Sequence, residues 1–210
     1  VLGVRVTSLL AALGVGSLAV ALALQDTLSN IFAGAYITMG KNIRVGDYIK
    51  MDTGDEGYVL DVTWRVTKIR TLSNNILLVP NNKLSQAIVT NYCLPEPKMA
   101  ISIPVGVSYD TDPEHVEKVL LDEAKGAVGQ VPGLMANPEP VVRFIPGFGD
   151  YSLNFTLVCH VKEFTGQYLV QHELRKRIFI RLKKEGIEIP FPTRTFYTRR
   201  GTSDVDEGKA

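Results

Sequence analysis

VTSLLAALGVGSLAVALALQ, residues 6–25, carries no formal charge between Arg5 and Asp26. At about 1.5 Å of rise per residue, a helix of this length spans about 30 Å, the thickness of a bilayer's hydrocarbon core. Its small residues, Ala11, Ala12, Gly14, Gly16, Ser17, Ala19, Ala21 and Ala23, alternate with Leu13, Leu18, Leu22 and Leu24. Small side chains let membrane helices approach closely, so the stretch reads as a helix packed against copies of itself. Gly14 and Ala21 lie seven apart on one face, with Ala11 and Ser17 nearby. Leu18 and Leu22, four apart, point together from another face. A ring of such leucines around an axis would narrow a pore, expel water and block ions until it widened.

The 210 residues are 45% hydrophobic with a net charge of +1, enough for a membrane segment and one or two modest soluble domains. The absence of a basic excess argues against nucleic acid as the main partner. Cys93 and Cys159 form no metal-binding spacing and read as reduced thiols. The chain begins without Met inside an apolar run, as expected of a piece whose earlier membrane segments lie upstream. A signal peptide fits less well: its basic start is reduced to Arg5, and the apolar run exceeds the usual 7–15 residues.

Beyond Gln25 the pattern changes. In DTLSNIFAGAYITM, residues 26–39, an apolar stripe of Leu28, Ile31, Phe32, Ala35 and Met39 recurs at helical spacing, with Thr27, Ser29 and Asn30 elsewhere around the helix. Asp26 suits an N-cap, which predicts a break in direction at Gln25–Asp26, and Gly34 offers a second flexure point. One continuous helix is the competing reading. Lys41, Arg44 and Lys50 follow and place the carboxyl end in the cytoplasm by the positive-inside bias.

Residues 45–92 carry signals for short strands, VGDYIKM, GYVLDVTWRVTKIRT and NNILLVP, punctuated by turn residues. Val59, Asp61, Thr63 and Arg65 alternate there with Leu60, Val62, Trp64 and Val66. Pro80-Asn81-Asn82-Lys83 then turns the chain into an apolar stretch, Leu84 to Tyr92. A small open barrel of Sm-like or OB-like kind is expected. Such a barrel raises RNA binding through Trp64, Tyr58 and Lys68, but these residues serve equally well as barrel core and rim. From residue 99 the order is strand, helix from Asp112-Pro113 to about Ala127, two strands around the PGFGD turn (146–150), helix from about Gln167 to Lys184, and a last extended run, Ile187 to Tyr197. That order describes a split βαβ, ferredoxin-like α+β domain. The domain expectation is residues 1–40 for a membrane helix with a kinked amphipathic second half, 41–97 for the β domain, 98–200 for the α/β domain and 201–210 for a disordered tail.

His115, His160 and His172 lack ligand spacing, and His160 and Cys159, adjacent in a strand, point to opposite faces. Asp110, Asp112 and Glu114 lack the rest of a calcium loop. No nucleotide-binding loop occurs. Nothing in the sequence argues for an enzyme, a metal or a cofactor.

LGVGSLAVALALQDTLSNIFAG, IRVGDYIKM and IRTLSNNILLVPNNKLSQAIVTNY closely resemble the small-conductance mechanosensitive (MscS-like) channel family, and the similarity extends through VGVSYDTDPEHVEKVL to IEIPFP, essentially residues 3–200. The resemblance implies a homo-heptamer in the cell membrane, multi-pass in its full length. A pore-lining helix would stand above a β domain and a cytoplasmic cage, with Ile187 to Tyr197 adding a strand to the barrel that closes it. Channels of this family open under membrane tension and release ions and small osmolytes on hypo-osmotic shock. Carried over by motif, Leu18 and Leu22 form the gate. Ala11, Gly14, Ser17, Ala19 and Ala21 form the helix-packing surface, and Gln25, Asp26 and Gly34 the kink. Asp26 departs from the glycine common at the kink and would put seven carboxylates at the inner mouth, favouring cations. The competing class is a membrane-anchored oligomeric scaffold, or a channel gated by another stimulus. A transporter would place paired ionisable groups at mid-membrane, and residues 6–25 hold none.

Overall fold

The computed structural model describes the backbone of residues 6–194 and the side chains of residues 10–194. The expected tail, 201–210, and the end of the last extended run, Thr195 to Tyr197, lie outside the described residues. The described chain groups into two compact units, one reaching Met99 and including Val161–Gln167, the other holding the remainder.

In the first unit, helix α1 runs from Val6 to Gly40 without interruption. Helical structure continues through Gln25–Asp26, where a break in direction is expected. Ala23, Leu24 and Gln25 before Asp26 and Leu28, Ala33 and Ala35 after it favour continuation. Asp26 therefore sits mid-helix, and its carbonyl accepts from Asn30 Nδ2 (2.8 Å) one turn later. A turn follows at Lys41, held by Asp47: its carboxylate accepts from the Arg44 amide (2.9 Å) and from Asn91 Nδ2 (2.7 Å). Strands β1 (Tyr48–Met51), β2 (Glu56–Val62), β3 (Val66–Arg70), β4 (Ile76–Pro80) and β5 (Val89–Asn91) make one sheet in the order β4-β3-β2-β1-β5. Every pairing in it is antiparallel, as in an Sm-like barrel. Ile49, Met51, Val59, Ile69 and Leu84 form its core, and Ile37 of α1 joins them.

Two local expectations change. The alternation across residues 59–66 is interrupted by a register shift between Val59 and Asp61 and by a turn at Thr63–Arg65, which leaves Trp64 exposed. The turn is closed by the Thr63 hydroxyl, which donates to the Val66 carbonyl (2.7 Å). Asn81–Gln86 forms a short helix, α2, over the expected turn at 80–83 and the start of the apolar stretch that follows. Leu84 faces the core from it, so one helical turn buries what a strand would have exposed on alternate sides.

The second unit contains β6 (Met99–Val107), α3 (Pro113–Ala127), β7 (Val141–Phe148), β8 (Leu153–Val161) and α4 (Gly166–Lys184), with sheet order β6-β8-β7. α3 starts where the sequence predicts: the Asp112 carboxylate accepts from the Glu114 amide (3.1 Å), and Pro113 occupies the first turn. Central strand β8 buries Leu153, Phe155, Leu157, Cys159 and Val161 with a period of two, and α4 buries Val170, Leu174, Ile178 and Leu182 on one stripe. β7 continues through Pro146 and Gly147 with a register shift, so the turn expected at 146–150 begins only after Phe148. Ile187 to Arg194 has no regular secondary structure, although the Glu188 carbonyl accepts from the Ser108 amide (2.9 Å) beside the end of β6.

Candidate pore helix and its attachment

Residues 10–28 of α1 are exposed all round. Among the described residues it is the one helix long and apolar enough to cross a membrane, over Leu10–Gly40. A soluble helix would not leave Leu13, Val15, Leu18, Val20 and Leu22 each about 60–70% exposed, because that area costs roughly 25 cal/mol per Å² in water. Leu18 and Leu22 are one turn apart on one side. At about 100° per residue, Ala11 and Gly14 fall on that same side. Ala21, seven residues after Gly14, borders that side and Ser17 lies further round; both line a shallow groove with Ala12, Leu13, Gly16 and Val20. Ala19 lies between that side and the groove. The five expected packing residues thus occupy more than one face of the helix. A Cβ on Gly14 or Gly16 would meet nothing within 4 Å, which leaves the surface open to another helix. The Ser17 hydroxyl is satisfied internally, donating to the Gly14 carbonyl (3.0 Å).

The second half of α1 is attached to the β sheet by the face opposite its apolar stripe. Leu28, Phe32 and Met39 of the apolar stripe are exposed, while Asn30, Gly34 and Ile37, at i, i+4 and i+7, are buried. The reason is a set of hydrogen bonds to residues about fifty positions away. Asn30 Oδ1 accepts from the Asn82 amide (3.0 Å) at the start of α2. Asn81, fully buried, donates through Nδ2 to the Thr63 carbonyl (2.8 Å) and makes a long 3.5 Å contact to the Asn30 carbonyl. Its Oδ1 accepts from the buried Thr67 hydroxyl (2.9 Å). A buried amide with both ends paired is stable, and one left unpaired costs about 1–3 kcal/mol.

Gly34 sits against this cluster. A Cβ there would lie 2.6 Å from Asn81 Nδ2 and 3.2 Å from the Thr63 carbonyl oxygen. Its role in this structure is close approach, where a flexure point was expected. The Gly34 carbonyl also accepts from the Thr38 hydroxyl (2.8 Å). Asn81 and Asn82 were missed as partners of the helix, and Thr63 and Thr67 as the partners that hold Asn81. The signal was the polar doublet Asn81-Asn82 after Pro80, matched to an amide-bearing position, Asn30, on an otherwise apolar helix.

Among the described residues no group of three or more His, Cys, Asp or Glu could hold a metal ion. Both cysteines are free, and burial pushes the Cys159 thiol up from 9.0 to about 11. The half-buried Cys93 accepts a hydrogen bond at Sγ from the Tyr48 amide (3.3 Å).

Comparison with known proteins adds a second line. Residues 26–93 match the model of the mechanosensitive ion channel β-domain, and residues 101–189 match the mechanosensitive ion channel MscS C-terminal domain. The chain is 37% identical over 204 residues to the large-conductance mechanosensitive channel MscMJLR of Methanocaldococcus jannaschii, covering 95% of this chain but 55% of that protein. It therefore spans little more than half of that relative's length. An uncharacterized MscS family protein of Archaeoglobus fulgidus is 32% identical over 208 residues, with 99% of this chain and 71% of that one covered. The crystal structure of Helicobacter pylori MscS in its closed state superposes with a TM-score of 0.80 at 30% identity, covering 95% of this chain and 76% of that one.

Proposed function

The chain belongs to the MscS family of mechanosensitive ion channels, and from that membership we propose that it is a subunit of a channel opened by membrane tension, passing ions and small osmolytes on hypo-osmotic shock. In this reading the copies assemble as a homo-heptamer. The segment 1–40 crosses the membrane and lines the pore, and the domains over 41–97 and 98–200 lie in the cytoplasm. Leu18 and Leu22 are the hydrophobic gate, while Ala11, Gly14, Ser17, Ala19 and Ala21 meet neighbouring helices. A bend at Gln25, Asp26 or Gly34 is a feature of the assembled channel in this proposal, since the single-chain helix is continuous.

The observation that carries the reading is the division of α1 into two parts. One is an uncharged segment exposed on every side. The other is a segment tied to a folded sheet through Asn30, Asn81 and Asn82. A tilt of the first part would load those hydrogen bonds, which is how movement in the membrane would reach the β domain. The test is single-channel recording of the full-length protein in liposome patches under stepped suction. Openings that rise with tension support the proposal. A verified oligomer that stays silent up to patch rupture would favour a scaffold or a different stimulus.

A further inference from the structure

We propose that Asp26 is the residue that sets ion selectivity in this pore, forming a ring of free carboxylates one turn beyond the gate. The proposal rests on the channel reading above. Asp26 is the single residue of the sequence from Val6 to Gly40 that carries a charge at neutral pH. Interrupted at Gln25 or Asp26, the helix would engage this carboxylate in capping the amides that follow, whereas a bend of the assembled channel at Gly34 leaves it free. In the continuous helix it is exposed and makes no hydrogen bond or ion pair with another described residue; only its backbone carbonyl is engaged, by Asn30. Leu18, Leu22 and Asp26 follow at successive intervals of four, each about 40° around and about 6 Å further along the helix. Asp26 lies about 60° around from the direction that Leu18 and Leu22 share, so it borders the axis they face, just past the constriction. The next charge on the chain, Lys41, is fifteen residues on, about 22 Å away along the axis and beyond a Debye length of about 8 Å.

In an assembly of identical subunits, each contributes one such carboxylate. A single carboxylate about 8 Å away raises local monovalent cation concentration in water by about twofold, and lowers that of anions in proportion. Several acting together give a several-fold preference for cations, as acidic rings do in cation-selective pores. A similar exposed aspartate in the β domain, such as Asp52 or Asp55, lacks the register with the gate that gives Asp26 this effect.

The experiment uses the full-length protein in liposome patches held at a tension that opens it, with asymmetric KCl. The reversal potential is read for the unsubstituted protein, Asp26→Glu, Asp26→Asn and Asp26→Lys. The expected result is K⁺ preference in the unsubstituted protein and Asp26→Glu, a several-fold fall in the K⁺/Cl⁻ permeability ratio in Asp26→Asn, and a reversal of sign in Asp26→Lys. The unsubstituted protein supplies an independent check: its preference shrinks as salt rises from about 0.1 M to about 1 M, where the Debye length falls to about 3 Å. An unchanged reversal potential in Asp26→Asn, or no K⁺ preference at about 0.1 M, overturns the assignment while leaving the channel intact. Absence of any tension-activated current in the unsubstituted protein overturns the channel reading, and this assignment with it.

Discussion

Gly34→Ala separates two roles for one residue. As a flexure point, Gly34 would matter through its backbone freedom, and alanine would stiffen the helix wherever its neighbours lay. As a point of close approach, it matters through the 2.6 Å separation between a Cβ and Asn81 Nδ2. Asn81 is a short side chain that could swing aside if it were free, but it is fully buried and paired at both ends, to Thr63 and Thr67. Moving it abandons at least one hydrogen bond, and leaving it in place forces α1 away from the sheet. Overpacking of this kind costs about 1–3 kcal/mol, and a stranded buried amide costs a similar amount. Alanine recovers about 1 kcal/mol of helix propensity, so the net loss is on the order of 0–2 kcal/mol. The assay is a double-mutant cycle with Asn81→Ala, reading the thermal unfolding midpoint of the purified full-length oligomer. Gly34→Ala alone lowers the midpoint; in the Asn81→Ala background, where the obstructing amide is gone, it is neutral or stabilising. An equal effect in both backgrounds would refute the packing argument in favour of flexure, and no effect in either would refute both.

The other expectations follow from the same geometry. Leu18→Ser and Leu22→Ser place a hydroxyl in the proposed constriction, hydrate it and lower the tension at which the channel opens; unaltered thresholds in both would remove these residues as the gate. Asn30→Ala strands the Asn82 amide and loosens α1 from the sheet by about 1–3 kcal/mol, read as faster hydrogen exchange at Asn82. Exchange as slow as in the unsubstituted protein would mean that this bond does not hold the junction. Cys159 predicts a pH dependence of stability. Burial raises its folded-state pKa to about 11, so the unfolded chain loses the proton first. The stability is whole below about pH 9 and falls by roughly 2–3 kcal/mol as pH rises toward 11. Comparing the unsubstituted protein with Cys159→Ala isolates this from lysine and tyrosine titration, and parallel pH curves would contradict it.

What the sequence made legible was set by range. The twenty uncharged residues of α1, the Asp112–Pro113 start of α3 and the Val170, Leu174, Ile178, Leu182 stripe of α4 are local patterns. Each was readable because its physical cause lies within a few turns of chain. The turn at Thr63–Arg65 was harder. Residues 59–66 alternate as one strand would, and only the bond closing Thr63 to Val66 and the register shift at Asp61 divide them. At Asp26 the sequence offers two readings, a capped break and one continuous helix, and the local pattern alone does not choose between them. An aspartate is a good cap when the chain before it is not helical, but here the preceding residues supply a helix that simply continues.

The face of α1 that meets the β sheet marks the deeper limit. Periodicity finds the apolar stripe Leu28, Ile31, Phe32, Ala35 and Met39, and the usual inference is that the apolar side is the buried one. The opposite side is buried, because Asn30 finds the Asn82 amide and Gly34 admits Asn81, pairings across about fifty residues that no local pattern contains. The stripe is thereby left exposed in a single chain, with Phe32 69% and Met39 80% accessible. An isolated subunit with that surface would carry a contiguous apolar patch at the foot of an already apolar helix, a feature that marks an interaction surface. In the proposed assembly the two faces have separate tasks. The polar face fixes the helix to its own β domain, and the apolar face is free for lipid or a neighbouring subunit.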